Sequence, residues 1–445
     1  MRCNFRIKES ALEQALVLAQ FLAQTDFNDL PHSALQAGKR GLLDCLGTAI
    51  GGANSQAAEM ALNLIDEAGG ALQATLLARG KRTSLRDAVL FNATAAHALD
   101  YDDTLSAPAA MVALAVAEQR SLPGRELLRS YVLGFEVASR MTRAIGGWEN
   151  ARGWHMMGVA GVFGAATAAS LLLKLNPPQI IAALGVAATQ SSGLMAMHGF
   201  LAKPFHSGKA AANGVFAAQL ALRGCTTGPA LEGSLSVSHA MGGTPTPDLA
   251  QKLGESYAVL ENRLKPFPCG RLGHGAIEAA LKARSAHKLT VEEIVSIQMH
   301  VEPRAQYLMG KSEPENGTQS MFSIAHGVAA ALLNGQAGPA QFSDESVRDL
   351  NLRDLRRRVE VIPDPRCRAG EAKITVQTKS RGPLVSEVPI QKGYATNPLT
   401  DDDVKEKFLA LAEPILGPTR AQRAVNLVYG LETLDDAGDL ARLCA

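Results

Sequence analysis

The chain has 445 residues, and its 44 lysines and arginines nearly balance its 43 aspartates and glutamates, for a formal net charge of +1. This balance argues against a nucleic-acid-binding protein, since such proteins need a basic excess to neutralise phosphates. The length predicts two or three domains, and a hydrophobic content of 47% with 20% charged residues excludes general disorder. With 41 glycines and only 5% aromatic residues, the composition favours close helix packing over aromatic-lined grooves.

The cysteines and the apolar segments bear on location. Six cysteines are scattered without a CxxC pair or metal-ligand spacing, which predicts free thiols of a reducing compartment and no zinc site. Residues 1–4 lack the apolar run of a signal peptide. Residues 156–173 carry no charge, but they are mainly Gly, Ala, Val and Thr, which is weakly hydrophobic for a membrane span and favours a buried helix. We therefore expect a soluble, cytoplasmic protein that binds neither a membrane nor a nucleic acid.

The first 260 residues predict one helix after another, with no strand alternation between them. Apolar residues recur at helical spacing over residues 11–24, and the sequence from Ser84 to Asp87 resembles a capping box that opens a helix running through Leu99. The remaining predicted helices of this part cover residues 123–145, 156–173, 178–191 and 207–223.

The pattern changes at residue 266. Short β-rich alternation predicts the strands of an antiparallel sheet at 294–301, 359–362, 373–378 and 384–390, with helices at 271–287 and 321–333. Thr400 then caps a new helix, and a last one follows Pro418. We expect a mainly α protein, in which residues 1–265 and 396–445 form a helical domain built from both chain ends and residues 266–395 form a smaller inserted α+β domain.

The sharpest local feature is an acidic cluster, Asp100, Asp102 and Asp103, at the end of an apolar helix. A spacing of four predicts that Asp100 and Thr104 share a helix face, and the apolar run before them predicts that the acids face a cleft. Two other interpretations stay open. The cluster is a solvated acidic helix end, or it is a Mg²⁺ site like the aspartate-rich motif of terpenoid synthases, although no second metal-binding cluster is visible.

Two segments carry candidate acid/base groups. Arg152, Gly153 and Trp154 precede His155, whose position at a helix N-terminus lowers the pKa of the imidazole and favours its neutral, base-competent form. Lys203 precedes a proline among apolar segments, where an ammonium group can act as a base or hold a carboxylate. A histidine packed against tryptophan and a solvated loop lysine are the structural alternatives.

The junction between the two predicted domains is a third candidate region, because clefts at domain interfaces are favoured ligand sites. His274 opens a helix there, and Lys265 and Arg271 are candidate carboxylate anchors. Cys269 lies between them, but nothing in the nearby sequence marks it as activated, and we expect a buried, unreactive thiol.

The chain resembles the MmgE/PrpD family over nearly its whole length, with five motifs in the family's order. These motifs are His97–Thr104 (HALDYDDT), Gly153–His155 (GWH), Lys203–Gly208 (KPFHSG), Lys265–Pro268 (KPFP) followed by His274, and Asn397–Thr400 (NPLT). The family includes 2-methylcitrate dehydratases, cis-aconitate decarboxylases and iminodisuccinate epimerase. The resemblance implies a homodimer, and an active site that lies in the cleft between the domains and needs no cofactor and no metal. It also places catalytic positions at Asp100, Thr104, His155, Lys203 and His274.

One departure from the family pattern guides the expected reaction. Dehydratases and decarboxylases of the family usually carry His-Pro-Ser shortly after the DDT motif, whereas this chain has Ala107 in the place of the histidine. A dehydratase must protonate a departing hydroxide, whereas an epimerase needs only a second acid/base group to return a proton to the opposite face. We therefore expect an epimerase of a polycarboxylate such as iminodisuccinate, which removes a proton alpha to a carboxylate.

The expected roles follow from that chemistry. Lys203 and His155 would be the two acid/base groups, Asp100 would orient one of them, and Thr104 would bind a substrate carboxylate. Lys265, Arg271 and Arg152 are the candidate carboxylate anchors. The alternatives are a hydro-lyase resembling 2-methylcitrate dehydratase, a lyase resembling cis-aconitate decarboxylase, a Mg²⁺-dependent helical enzyme and a non-catalytic dimeric binding protein.

Overall fold

Helices make up most of the first 240 residues of the chain. The computed structural model describes residues 13–148, 152–244 and 247–445. The helices before residue 245 are α1 Glu13–Gln24, α2 His32–Gly52, α3 Gln56–Ala68, α4 Leu85–Ala98, α5 Ser106–Gln119, α6 Gly124–Ala144, α7 Met156–Val159, α8 Gly161–Leu172, α9 Pro177–Gln190, α10 Phe205–Leu222 and α11 Val237–Ala240. The predicted helices of this part are confirmed to within a few residues, except that residues 11 and 12 lie outside the described ranges and that the helix at 156–173 is interrupted at Ala160.

A short hairpin interrupts this helical part, where no strand was expected. Strand β1 (Ala74–Leu76) pairs antiparallel with β2 (Lys81–Thr83). Each strand has only three residues, which is too short for an alternating pattern to stand out from its surroundings. Ser84 then caps α4 as predicted, since its side chain accepts the N–H of Asp87.

The α+β part follows residue 266. Its helices are α12 His274–His287, α13 Pro303–Met309, α14 Gly317–Ser320, α15 Ile324–Asn334, α16 Asp344–Arg348 and α17 Leu350–Arg357, and its strands are β3 Ile294–Val301, β4 Val359–Pro363, β5 Ala372–Thr378 and β6 Gly382–Val388. The four strands form one sheet in the order β4-β3-β5-β6. Strand β3 pairs antiparallel with β5 but parallel with β4. The prediction of an antiparallel sheet is therefore wrong for the β3–β4 pair, because helices α13 to α17 form a long crossover between these strands.

The chain then returns to the helical part with α18 Asp401–Leu416, α19 Pro418–Tyr429 and α20 Gly438–Leu443. Thr400 caps α18 in a reciprocal capping box with Asp403, as the sequence predicted. Helix α18 packs along α2, and one hydrophobic core joins residues 15–264 with residues 399–444. A second core lies within residues 269–388.

Small residues bring the central helices close together. Helix α8 is buried on all sides and packs against α5, α6 and α10. Where α8 crosses α6, a methyl group on Gly134 would lie 2.7 Å from the carbonyl oxygen of Gly164, and the converse distance is 2.8 Å. The two backbones meet at a separation that only glycine allows. The burial of α8 among other helices explains why the segment 156–173 carries no charge. No helix in the described ranges is both long and apolar enough to cross a bilayer.

Candidate active site

A cavity of about 420 Å³ lies between the helical part and the α+β part. Its wall is formed by residues from both parts, together with the segment that joins them. The predicted site residues in this wall are Asp100, Thr104, His155, Lys203, Lys265 and Arg271. The residues described as lining the cavity do not include His274 or Arg152.

Asp100 adopts an unusual backbone conformation at the centre of the site. Helix α4 ends at Ala98, and Asp100 follows with a φ of +48°. The prediction that Asp100 and Thr104 share a helix face is wrong, because the chain has left the helix before either residue. Lys265 stabilises the left-handed conformation, since its Nζ donates to the main-chain oxygen and to Oδ1 of Asp100, each at 2.7 Å. Such a conformation persists where the surroundings hold it in place.

Two lysines share one carboxylate oxygen in this cluster. Lys203 lies in the turn before α10, and its Nζ is 2.7 Å from the same Oδ1 that Lys265 contacts, while Oδ2 of Asp100 has no partner. Burial alone would raise the pKa of Asp100, but the two ammonium groups outweigh it and hold the pKa well below its usual range. Burial also lowers the pKa of Lys203, and Lys265 adds to that effect. The trio carries a net positive charge in a buried place, which favours an anionic ligand.

Three imidazoles form another part of the wall, namely those of His155, His198 and His97. His155 precedes the short helix α7, and its Nδ1 lies 2.9 Å from Nδ1 of His206, so that one of the two nitrogens donates to the other. The ring of His155 also lies edge-on to that of His198, with centroids 5.3 Å apart. Burial, followed by Lys203, holds the pKa of His155 well below its usual range, and burial lowers that of His198 to about 3. Both rings are neutral at pH 7.

The third imidazole of the wall is His97, whose nearest polar partner is Asp102. Nδ1 of His97 lies 2.8 Å and 3.0 Å from the two oxygens of this wholly buried carboxylate. Its ring stacks on that of His155, with centroids 5.4 Å apart and planes at 25°. Burial lowers the pKa of His97, although Asp102 opposes that shift.

The remaining acid of the cluster, Asp103, holds the start of α5 in place. Oδ1 of Asp103 accepts the N–H groups of Leu105 and Ser106, where α5 begins, and Oδ2 accepts from Asn262 at 2.6 Å. Asp100, Asp102 and Asp103 therefore have different partners and do not converge. Within the described ranges, no group of three or more His, Cys, Asp or Glu residues is arranged to hold a metal ion.

Arg271 and Thr104 line the cavity as the sequence analysis proposed. Nη2 of Arg271 donates to the carbonyl oxygen of Arg263 at 2.6 Å, whereas its buried Nη1 has no partner. Burial lowers the pKa of Arg271 to about 10, which still leaves the side chain charged at neutral pH. Arg152 is exposed, and its guanidinium lies beside Gly242, outside the cavity wall.

His274 begins α12 as predicted, behind the wall. Its Nε2 donates to the carbonyl oxygen of Cys269 at 3.1 Å, and its buried Nδ1 has no partner. Burial raises the pKa of the Cys269 thiol, which fits the expected unreactive cysteine. The described cysteines, Cys45, Cys225, Cys269, Cys367 and Cys444, are all free thiols, and Cys3 lies outside the described residues.

A buried ion pair under the site was missed from the sequence. Lys407 of α18 donates to Oδ1 of Asp44 in α2 at 2.5 Å, and also to the carbonyl oxygens of Tyr101 at 2.7 Å and Lys265 at 3.1 Å. One ammonium group thus joins the segment that carries Asp100 to the segment that carries Lys265. Because these residues lie far apart in the sequence, no local pattern predicts the contact. His198, in the cavity wall, was also missed because it lies outside the quoted motifs.

Comparison with known proteins gives matches along most of the chain. The chain matches the family model of the MmgE/PrpD N-terminal domain over residues 17–250 and that of the MmgE/PrpD C-terminal domain over residues 267–433. A cis-aconitate decarboxylase-like protein of Aspergillus oryzae is 27% identical over 466 aligned residues, covering 96% of each chain. The cis-aconitate decarboxylase of Homo sapiens is 26% identical, covering 93% of this chain and 91% of its own. That of Aspergillus terreus is also 26% identical, covering 94% and 92%.

These relatives are named for a decarboxylation, which is a lyase reaction, and the expected epimerase activity is therefore wrong. That expectation depended on Ala107. The residue is fully buried within α5 and is not among the described residues of the cavity wall, so it is a poor guide to the groups that face a substrate. The wall takes its imidazoles from three other segments of the chain. With matches to both family domains along most of its length, the chain belongs to the MmgE/PrpD family, a family of enzymes.

Proposed function

We propose that this protein is a lyase that decarboxylates an unsaturated polycarboxylate such as cis-aconitate. The observation that carries the proposal is the buried cluster in which Lys203 and Lys265 share Oδ1 of Asp100 beside a cavity. The names of the relatives support this class of reaction. A polycarboxylate needs several cations at close range, and Arg271 adds a third, with one buried N–H group unpartnered.

The chemistry of cis-aconitate defines what the site must do. One of its three carboxylates is attached to the saturated carbon next to the double bond. When the bond to that carboxylate breaks, CO₂ leaves and its electron pair forms a new double bond to the central carbon. The former double-bond pair moves to the far carbon, which then takes up one proton. The product is a five-carbon dicarboxylate with a terminal methylene group.

Negative charge spreads over the allylic carbons and the adjacent carboxylate while CO₂ leaves. Preorganised cations stabilise such developing charge most effectively in a site that excludes water. We assign this stabilisation to Lys203 and Lys265, which Asp100 holds in position, and the binding of the retained carboxylates to Arg271 and Thr104. The apolar residues Leu308, Met309 and Phe322 also line the cavity and suit neutral CO₂ better than a carboxylate.

Proton NMR of the purified protein with cis-aconitate in D₂O tests the proposal. We expect the vinyl proton of the substrate to disappear, two terminal methylene signals to appear, and one deuterium to enter the product. Lys203→Ala should lower turnover by about 10²–10³-fold, since it removes a preorganised charge at the reacting atoms. Lys311→Ala is the matched control, because Lys311 is exposed and outside the cavity wall.

A spectrum that stays unchanged with cis-aconitate would refute the proposed reaction. Signals of a hydrated tricarboxylate instead of the terminal methylene would favour the hydro-lyase alternative, with 2-methylcitrate as the next substrate. The homodimer and the cytoplasmic location stay predictions.

A further inference from the structure

The decarboxylation proposed above consumes one proton in each turnover, and the site must supply it. Four imidazoles lie together: His97, His155 and His198 line the cavity, and His206 contacts His155. Among the described contacts of these four, a carboxylate partner occurs only at His97. An imidazole paired with a carboxylate holds a proton more readily than one paired with another imidazole.

The contact with Asp102 determines how His97 carries its protons. Both carboxylate oxygens lie within 3.0 Å of Nδ1, so Nδ1 carries a hydrogen in the neutral ring and Nε2 has the lone pair. Protonation then adds the second hydrogen at Nε2. The Asp102 carboxylate stabilises the charged ring because it is buried and already aligned with Nδ1.

Nε2 of His97 has no role among the contacts that hold the ring in place. It is buried and has no hydrogen-bond partner, although the residue lines the cavity. A buried polar atom without a partner costs free energy, and a ligand that supplies the missing partner recovers it. A substrate carboxylate or a reacting carbon is the kind of group that an Nε2–H can meet there.

The charges around His97 explain how a ligand would change its protonation. The titratable groups around the ring are Asp102, Asp100, Lys203, His155, His198 and His206. Burial lowers the pKa of His97, and the ammonium of Lys203 adds to that effect. A polycarboxylate in the cavity brings negative charges next to the same ring, and nearby negative charge raises the pKa of an imidazole.

We propose that His97, held by Asp102, takes up a proton when the polycarboxylate binds and delivers it from Nε2 to the substrate carbon after CO₂ has left. In that step the Nε2–H bond breaks, and the electron pair of the allylic carbanion forms the new C–H bond. His97 returns to its neutral form, and the next proton comes from solvent with the next substrate. This assignment rests on the proposed decarboxylation and names its proton donor.

Calorimetry with a ligand that cannot react tests the proton uptake apart from turnover. Propane-1,2,3-tricarboxylate has the three carboxylates but no double bond. We would titrate it into the wild-type protein in two buffers with different ionisation enthalpies, which gives the number of protons taken up on binding. Net uptake is expected for the wild type. For His97→Asn we expect no uptake, although the ligand should still bind because the cations remain.

Turnover of cis-aconitate gives the second readout. His97→Asn should lower kcat by about 10²–10³-fold, as expected for loss of a general acid, and circular dichroism would verify the fold. His239→Asn is the matched control, since His239 is exposed and outside the cavity wall. In Asp102→Asn the pKa of His97 should fall, which moves the alkaline limb of the pH–kcat profile to lower pH.

Two outcomes would overturn the assignment of His97. One is a His97→Asn protein that keeps the wild-type proton uptake and turns over within about threefold of wild type. The other, decisive if that variant does not fold, is an alkaline limb that stays in place in Asp102→Asn. Failure of the proposed function can be told apart from these two outcomes. In that case the wild-type protein itself would show no decarboxylation.

Discussion

The ion pair under the active site should make a large, pH-dependent contribution to stability. Lys407→Met removes the ammonium that bonds Asp44 and the carbonyl oxygens of Tyr101 and Lys265. Asp44 would remain as a buried carboxylate without a counter-ion, and breaking a buried pair in this way costs about 3–5 kcal/mol. We therefore expect the unfolding free energy at pH 8 to fall by about that amount.

Lowering the pH should relieve most of this loss. Burial already raises the pKa of Asp44 to about 6, and Lys407, the main influence that lowers it, is absent from the variant. The pKa of Asp44 in the folded variant then lies further above its value in the unfolded chain. As the pH falls, the folded state therefore binds a proton at Asp44 before the unfolded state does, and the buried charge disappears. The cost of the buried charge appears only when the pH rises through the folded pKa. At pH 5 the cost should shrink to about 1–2 kcal/mol, which reflects the lost hydrogen bonds.

Urea denaturation of both proteins at pH 5 and pH 8 measures the two differences. Lys405→Met is the matched control on the same helix, since Lys405 forms a partly exposed ion pair with Asp402 at 3.3 Å and lies over the ring of Tyr429. Such surface pairs contribute about 0–1 kcal/mol. A loss in Lys407→Met that is equal at both pH values, or no larger than that of the control, would refute the argument from a buried, unpaired carboxylate.

Three further predictions concern packing, metal dependence and assembly. Gly164→Ala should lower the unfolding free energy by about 1–3 kcal/mol, because the new methyl group meets the carbonyl oxygen of Gly134; a melting temperature equal to that of wild type would contradict this close crossing. Dialysis against EDTA should leave turnover unchanged, because Asp102 and Asp103 are committed to His97 and to the start of α5; activity lost with the chelator and restored by Mg²⁺ would revive the metal-site interpretation. Light scattering should give the mass of a homodimer, as the family resemblance implies, and a monomer at micromolar concentration would rule this out.

The sequence predicted well those features that depend on local patterns. Strand β3 begins and ends where its alternation does, and the caps at Ser84 and Thr400 open α4 and α18 as expected. The parallel pairing of β3 with β4 could not be predicted in this way, because it depends on the path of the crossover helices. Motif order also located charged and imidazole residues of the cavity wall such as Asp100, His155 and Lys203, since they lie in continuous segments that resemble a known family.

The features of the site that the sequence did not predict are long-range contacts and reversals of the backbone. The pairing of His97 with Asp102 needs the chain to turn back after α4, and the positive φ of Asp100 is part of that turn. The contact of Lys407 with Tyr101 joins residues 306 positions apart. Periodicity and propensity do not contain this information, because it arises only when separate segments pack together.

The position of Lys407 has a consequence for how the protein is made. The residues that surround the cavity are synthesised before α18, yet an ammonium group from that helix contacts both the segment of Asp100 and the segment of Lys265. Since domains form as the chain leaves the ribosome, the helical part must keep a groove along α2 open until its last helices arrive. A nascent chain that ends between residues 395 and 406 thus carries every described residue of the cavity wall but lacks one of the contacts that join the segments of Asp100 and Lys265.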